Sequence, residues 1–235
     1  MAELDRQRMQ AGARAAEVDE GLRAYMLRVY NYMSIGLAIT GVVAYFAAAS
    51  GLYQQIAATP LIWVVMLAPL GFVFFLSARI NKMSASAAQT TFWVFAGIMG
   101  LSLSFVFLAY TSASVVTTFF VTSAAFGSLS IYGYTTKRDL SAMGSFMVMG
   151  LFGLIIASVV NIFLASPAFD FAISVLGVLI FAGLTAWDTQ AIKQMYEERD
   201  SADATTKKAI MGALRLYLDF VNMFLFLLRF LGNRE

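Results

Sequence analysis

Between Asp139 and Asp170 the chain reads LSAMGSFMVMGLFGLIIASVVNIFLASPAF (residues 140–169), with no charged side chain. The hydrocarbon core of a bilayer takes about 20 apolar residues per helix, more than a core helix of a soluble domain needs. The stretch therefore reads as a membrane-crossing helix near Met143–Ala165, closed by Ser166-Pro167. Two further uncharged runs, Arg28 to Arg79 and Lys82 to Lys137, are each long enough for two such helices. The turn-forming stretch from Ser50-Gly51 to Thr59-Pro60 divides the first into Val29–Ala49 and Leu61–Ala78. A break near Tyr110–Ser114 divides the second into Ala85–Ala109 and Val115–Tyr134. A sixth segment starts at Phe171 and runs to about Met195, and a seventh lies near Ile210–Leu228. The predicted fold class is all-α: a polytopic membrane protein with seven transmembrane helices.

Composition points the same way. Of 235 residues 60% are apolar and 13% charged, against about 45–50% and 25% in soluble domains. The chain contains no Cys and no His. This excludes disulfide frameworks, thiolate nucleophiles, iron–sulfur ligation, Ser–His–Asp triads and His-based zinc or haem sites. A net charge of +2 gives no electrostatic footprint for nucleic acid. Residues 1–28 mix five Arg with five acids and lack the apolar core of a signal peptide. They read as a solvated, partly helical lead-in, or as a chain disordered over its first dozen residues. Residues 29–235 then form a single seven-helix domain.

Basic residues follow alternate connections: five in the lead-in, Arg79 and Lys82 after the second segment, Lys137 and Arg138 after the fourth, and Lys193, Arg199, Lys207 and Lys208 after the sixth. Connections after the first, third and fifth segments have none. The positive-inside rule then puts the N-terminus in the cytoplasm. The seventh segment either spans or re-enters, since it carries Arg215 and Asp219 within it and Arg229 and Arg234 near its end. Lys82, Lys137, Arg138 and the Lys207-Lys208 pair read as contacts with anionic lipid.

Ionisable groups inside a membrane segment are costly, by about 2.5–3.5 kcal/mol on insertion scales, and mark function by default. Asp188 follows the uncharged run Phe171–Trp187, and Asp219 sits in LYLDFVNMFLFLL (residues 216–228). With 1.5 Å of rise per residue, Asp188 lies on the order of 10 Å inside the sixth segment's end, and Asp219 roughly 14 Å inside the same face. The two carboxylates can meet. Two carboxylates in one poorly hydrated pocket do not both ionise cheaply; sharing one proton satisfies both, and the pair titrates as a unit. Such a pair senses pH without histidine. The plainer readings are a local Arg215–Asp219 ion pair and an Asp188 that ends its helix at the interface. Arg79 either snorkels to the headgroups or reaches inward to neutralise an Asp.

Four blocks carry a resemblance: DEGLRAYMLRVYNYMSIGLAITG (residues 19–41), YGYTTKRDLS (residues 132–141), GLTAWDTQAIK (residues 183–193) and ALRLYLDFVNMFLFLLRFLG (residues 213–232). In order and spacing they resemble the Bax inhibitor family, also called the transmembrane Bax-inhibitor-motif family, and a bacterial member of it. The resemblance implies six helices wrapped around a central C-terminal helix. It implies a pH-sensitive calcium leak, with suppression of cell death in eukaryotic members. It places the pH-sensing acids on Asp188 and Asp219 and a counter-charge latch on Arg79. It also implies an acid facing the pore on the second helix, which Leu61–Ala78 lacks.

The function expected is a pH-sensitive calcium, or general cation, leak channel gated by the aspartyl pair, in a bacterial inner membrane. Asp188 and Asp219 are the gate and the calcium ligands, Arg79 is the latch, and Arg215 and Asn222 are secondary. No catalytic residue, enzyme activity or cofactor is expected; calcium is the transported ion. The expected partners are the bilayer, cations and other membrane proteins. The alternative is a non-conducting regulator that binds a membrane protease or cell-death factor. An intramembrane aspartyl protease is disfavoured, because the acids follow Trp187 and Leu218 rather than standing in Tyr-Asp and Gly-x-Gly-Asp.

Overall fold

In a computed structural model, which describes residues 2–233 with side chains from Val18 onward, the chain folds into helices alone among the described residues. They are α1 (Ala2–Ala49), α2 (Leu52–Ala57), α3 (Leu61–Arg79), α4 (Ala85–Leu103), α5 (Val106–Ala109), α6 (Ser112–Thr135), α7 (Ser141–Leu164), α8 (Pro167–Gln194) and α9 (Ala202–Leu231). Seven stretches among the described residues are long and apolar enough to cross a membrane: Val18–Ala49, Leu61–Lys82, Ala85–Ala109, Ser112–Thr135, Ser141–Leu164, Pro167–Gln194 and Ala202–Leu231. The molecule is an integral membrane protein of seven helices. α2 and α5 are short turns joined to the ends of spans.

Local chemistry sets the helix starts. Ser84, Thr111, Ser166 and Ser201 accept hydrogen bonds from the backbone N–H of Ala87, Ser114, Phe169 and Ala204, capping α4, α6, α8 and α9. Pro167 occupies the first turn of α8, where its missing N–H costs nothing. α8 therefore starts four positions before Phe171, on the Ser-Pro pair that reads from sequence as a break. α9 starts at Ala202 rather than near Ile210, because Ser201 caps it and Lys207 bridges Asp203 one turn away at 2.8 Å. Lys208 lies 2.7 Å from Asp200 and 3.4 Å from Glu197. The two lysines expected to meet lipid thus hold the α8–α9 connection to carboxylates.

The lead-in expected over residues 1–28 is continuous with α1. Its first 17 side chains lie outside the described ones, but Tyr25, Met26 and Val29 are buried in the main core. Apolar packing therefore begins inside the charged N-terminal region.

α9 is an unbroken helix of 30 residues and has no re-entrant turn. It packs against α1, α4, α6 and α8, while α3 lies mainly on α4 and α7 on α8. Leu216, Tyr217 and Met223 of α9 are fully buried. By contrast, α7 exposes Phe152, Ile162 and Phe163, the surface of a helix that faces lipid.

Small residues allow the closest approaches, as between membrane helices generally. At Gly133 of α6 a Cβ would stand 2.2 Å from the backbone oxygen of Ala186 in α8, so only glycine fits there. This contact fixes α8 two residues before Asp188.

Candidate functional site: a buried aspartyl pair

The register between α8 and α9 can be read from two contacts. Gly212 faces Ile192, and Gly177 faces Phe226. The helices run antiparallel, so Asp188 falls level with Leu216. Arg215 and Asp219, four residues apart on one face of α9, flank it along the axis. The spacing that suggests a local ion pair within α9 instead presents a cation and an acid to the same residue of α8.

Asp188 is 9% exposed and Asp219 4% exposed. Their carboxyl groups lie within hydrogen-bonding reach of each other. Arg215 Nη1 lies 3.7 Å from Asp188 Oδ1, an ion pair without hydrogen-bond contact, and its guanidinium remains largely exposed. Asp219 Oδ2 is fully buried and has no hydrogen-bond partner among the described residues. A buried carboxylate oxygen without a donor is expensive.

The neighbouring polar groups do not supply one. Thr185 and Thr189 donate to the backbone of their own helix at 2.7 and 2.8 Å. Asn222 donates from Nδ2 to Leu218 O at 2.8 Å, so its amide serves α9 and not the acids. Arg79 is exposed at the end of α3 and makes no ion pair or side-chain hydrogen bond among the described residues. α3 packs mainly on α4, so the cation at the pair in this structure is Arg215.

The two acids have no third acidic partner: no group of three or more Asp or Glu residues placed to hold a metal occurs among the described residues. Calcium takes 6–8 oxygen ligands. Two carboxylates provide part of such a shell, with water or backbone oxygens making up the rest.

A profile described as "Inhibitor of apoptosis-promoting Bax1" matches residues 22–235. The chain belongs to the Bax inhibitor family. An uncharacterised protein of Rickettsia prowazekii is 50% identical over 218 residues, covering 92% of each chain. Inner membrane protein YbhL of Escherichia coli K12 is 45% identical over 219 residues, covering 92% of this chain and 94% of its own. An uncharacterised protein of Caulobacter vibrioides is 46% identical over 230 residues. The match includes both acids and every helix that packs around them.

Three polar contacts around the pair had no sequence signal beyond the residues themselves. Tyr217, two residues before Asp219, places its hydroxyl 2.6 Å from Thr40 Oγ1, which also lies 2.8 Å from Ala96 O. This chain ties α9 to α1 and α4 in the interior. Gln190, two residues after Asp188, accepts from Leu140 N and donates to Arg138 O, both at 2.8 Å. Lys193 donates to Tyr134 O at 2.9 Å and sits 4.7 Å over the Tyr134 ring. Gln190 fastens α8 to the α6–α7 connection about half a turn past Asp188, and Lys193 fastens it to the last turn of α6 about one and a half turns past Asp188.

Proposed function

We propose that this member of the Bax inhibitor family is a pH-sensitive cation leak, with calcium as the transported ion and the Asp188–Asp219 pair as sensor and gate. The observation that carries the reading is the pair itself: two neighbouring carboxyls in the interior of a membrane protein, one with an oxygen that has no donor among the described residues. With one shared proton the pair carries a single negative charge, facing Arg215. Loss of that proton adds a second charge where water is scarce. The new charge must be met by a cation, by water or by Arg215 moving inward, and each outcome shifts α8 against α9. Hard carboxylate oxygens suit calcium, and an incomplete shell suits passage, since conduction requires an ion to leave as well as bind.

The alternation of basic connections supports an N-terminus in the cytoplasm. The likeness to YbhL supports an inner membrane. A latch at Arg79, as the resemblance implies, requires α3 to approach α8 and α9; Arg215 needs no such movement.

The test is calcium flux into proteoliposomes across pH. Asp188→Asn and Asp219→Asn are each expected to flatten the pH dependence. If both leave it intact, the sensor assignment fails. If purified protein passes no cation at any pH and leaves the membrane with a stoichiometric protein partner, the non-conducting regulator is the correct reading.

A further inference from the structure

We propose that the cleft between α1 and α6 is a binding site for an anionic phospholipid, held by its acyl chains along the cleft and by its phosphate at Arg23. The cleft has a volume of about 1220 Å³. α1 and α6 each pack on α9 and leave the cleft between them, with Phe220, Val221 and Phe224 of α9 on its floor. Its lips, including Leu27, Val42, Phe120 and Ile131, are exposed, so it opens sideways, toward the surrounding lipid, along the flank of the bundle.

Water does not suit this space. A buried water needs 2–4 polar partners, and the lining is almost wholly apolar. Of its serine and threonine hydroxyls, Thr40 is engaged with Tyr217 and Ala96, Ser123 with Phe119 O and Ser130 with Thr189, while Ser34 is exposed. Hydrocarbon does suit it. From Arg23 to Phe46 the α1 wall is roughly 35 Å long, ample for the chains of one phospholipid, which cross about half of the hydrocarbon core.

The charge is at one end. Among the lining residues Arg23 alone is charged, and it has no hydrogen bond or ion pair among the described residues. Tyr30 and Tyr134 stand beside that end, whereas Tyr45, Phe46 and Phe107 close the other without charge. Arginine binds phosphate well, and basic residues at the mouth of an interhelical pocket recognise headgroups. The occupant is therefore a lipid oriented with its phosphate at the Arg23 end. Its chains touch Phe220 and Val221, the two residues after Asp219, so occupancy bears directly on the position of the buried acid.

Gly41 of α1 and Gly127 of α6 line the cleft, and a Cβ at either meets no atom within 4 Å. Both recesses can thus be filled without a clash, and leucine is the better helix former. The experiment uses the full chain in phosphatidylcholine vesicles containing phosphatidylglycerol, with a photoreactive diazirine on the acyl chain of one lipid or the other. Phosphatidylglycerol is expected to label α1 and α6 cleft peptides about fivefold more than phosphatidylcholine does, the ratio one basic contact gives. Arg23→Gln should abolish that preference, bringing phosphatidylglycerol labelling down to the level of phosphatidylcholine. Gly41→Leu with Gly127→Leu should remove most cleft labelling but not labelling of α7 near Phe152 and Phe163. Cleft labelling no stronger than that of α7, an unchanged headgroup preference in Arg23→Gln, or cross-linking of a second copy through the cleft would each overturn the proposal. Should the double leucine variant not fold, Arg23→Gln alone decides. The readout is independent of ion flux.

Discussion

Asp188 on α8 meets both Arg215 and Asp219 of α9, because those two residues lie one turn apart and straddle its level. The triad is lopsided. Arg215 reaches Asp188 Oδ1 at 3.7 Å, while Asp219 Oδ2 is buried with no donor among the described residues. Asp188→Asn is therefore expected to supply Asp219 with a permanent N–H donor from the amide. Asp219→Asn should leave Asp188 ionised beside Arg215. Both variants are expected to flatten the pH dependence of flux in proteoliposomes, with Asp219→Asn keeping the greater sensitivity to the charge at position 215. A double-mutant cycle with Arg215→Gln reads this as a larger coupling in the Asp219→Asn background than in the Asp188→Asn one.

Arg215 and Arg79 make predictions of different size. Removing a cation next to the pair favours its protonated form, so Arg215→Gln should move the midpoint of the flux–pH curve to higher pH. A displacement of about one pH unit corresponds to roughly 1.4 kcal/mol of lost interaction. Arg79 is exposed and unpaired among the described residues, so Arg79→Gln should move the midpoint by far less. The flux curves of the two variants in one lipid mixture check this. A larger displacement for Arg79→Gln would mean that α3 closes on the pair in the conducting state.

The fold was legible because membrane helices announce themselves by length. The uncharged runs located the spans, and the break at Ser50-Gly51 appears as a left-handed Gly51 turn between α1 and α2. Helix starts were less legible. Serine caps carry α8 and α9 beyond the apolar run, and Lys207 and Lys208 are absorbed by acids that sequence alone does not bring near. Equal depth allowed Asp188 and Asp219 to meet without requiring it, and the role of Arg215 had no signal in the sequence. Which face of α9 meets α8 depends on contacts such as Gly212 against Ile192, which join residues far apart in the chain. The Tyr217–Thr40 contact spans 177 residues and has no local pattern.

Outside the membrane segments, Asp139 accepts from Ser141 N at 2.9 Å at the start of α7. Hydrogen bonds from Ser141, side chain first and backbone second, hold the Asp139 carboxyl below its usual value of 3.8. A depressed folded-state pKa stabilises the protein above the unfolded value, and the benefit is lost as pH falls through the folded one. Ser141→Ala is expected to bring the Asp139 titration back toward 3.8, measured by carbon NMR of labelled aspartate. Whatever stability this charge contributes is lost in the variant at neutral pH and not at pH values below the Asp139 titration, and the loss is small because the carboxyl is exposed.

Gly133 fixes the spacing of α6 and α8. A Cβ there would meet the Ala186 backbone at 2.2 Å, and a backbone oxygen has no rotamer by which to withdraw. Gly133→Ala is expected to destabilise by about 1–3 kcal/mol, the usual cost of overpacking, seen as a lower unfolding temperature in detergent. Because Ala186 is two residues from Asp188, the flux–pH curve should change in the same variant.

The Tyr217 hydroxyl tests how far the interior of α9 depends on polar contacts. It lies in the aromatic core with Phe92 and Phe95, at centroid distances of 6.1 and 5.3 Å, and its partner is Thr40 at 2.6 Å. Tyr217→Phe leaves Thr40 bonded to Ala96 O and loses one buried hydrogen bond, a cost of about 1 kcal/mol. Thr40→Val strands the tyrosine hydroxyl in an apolar core and should cost more, roughly 1–3 kcal/mol. The double variant removes both polar groups and should recover part of that loss. Denaturant unfolding of the three variants checks the order. If Thr40→Val is no worse than Tyr217→Phe, the hydroxyl has found another partner, and α1 is not bound to α9 by this contact.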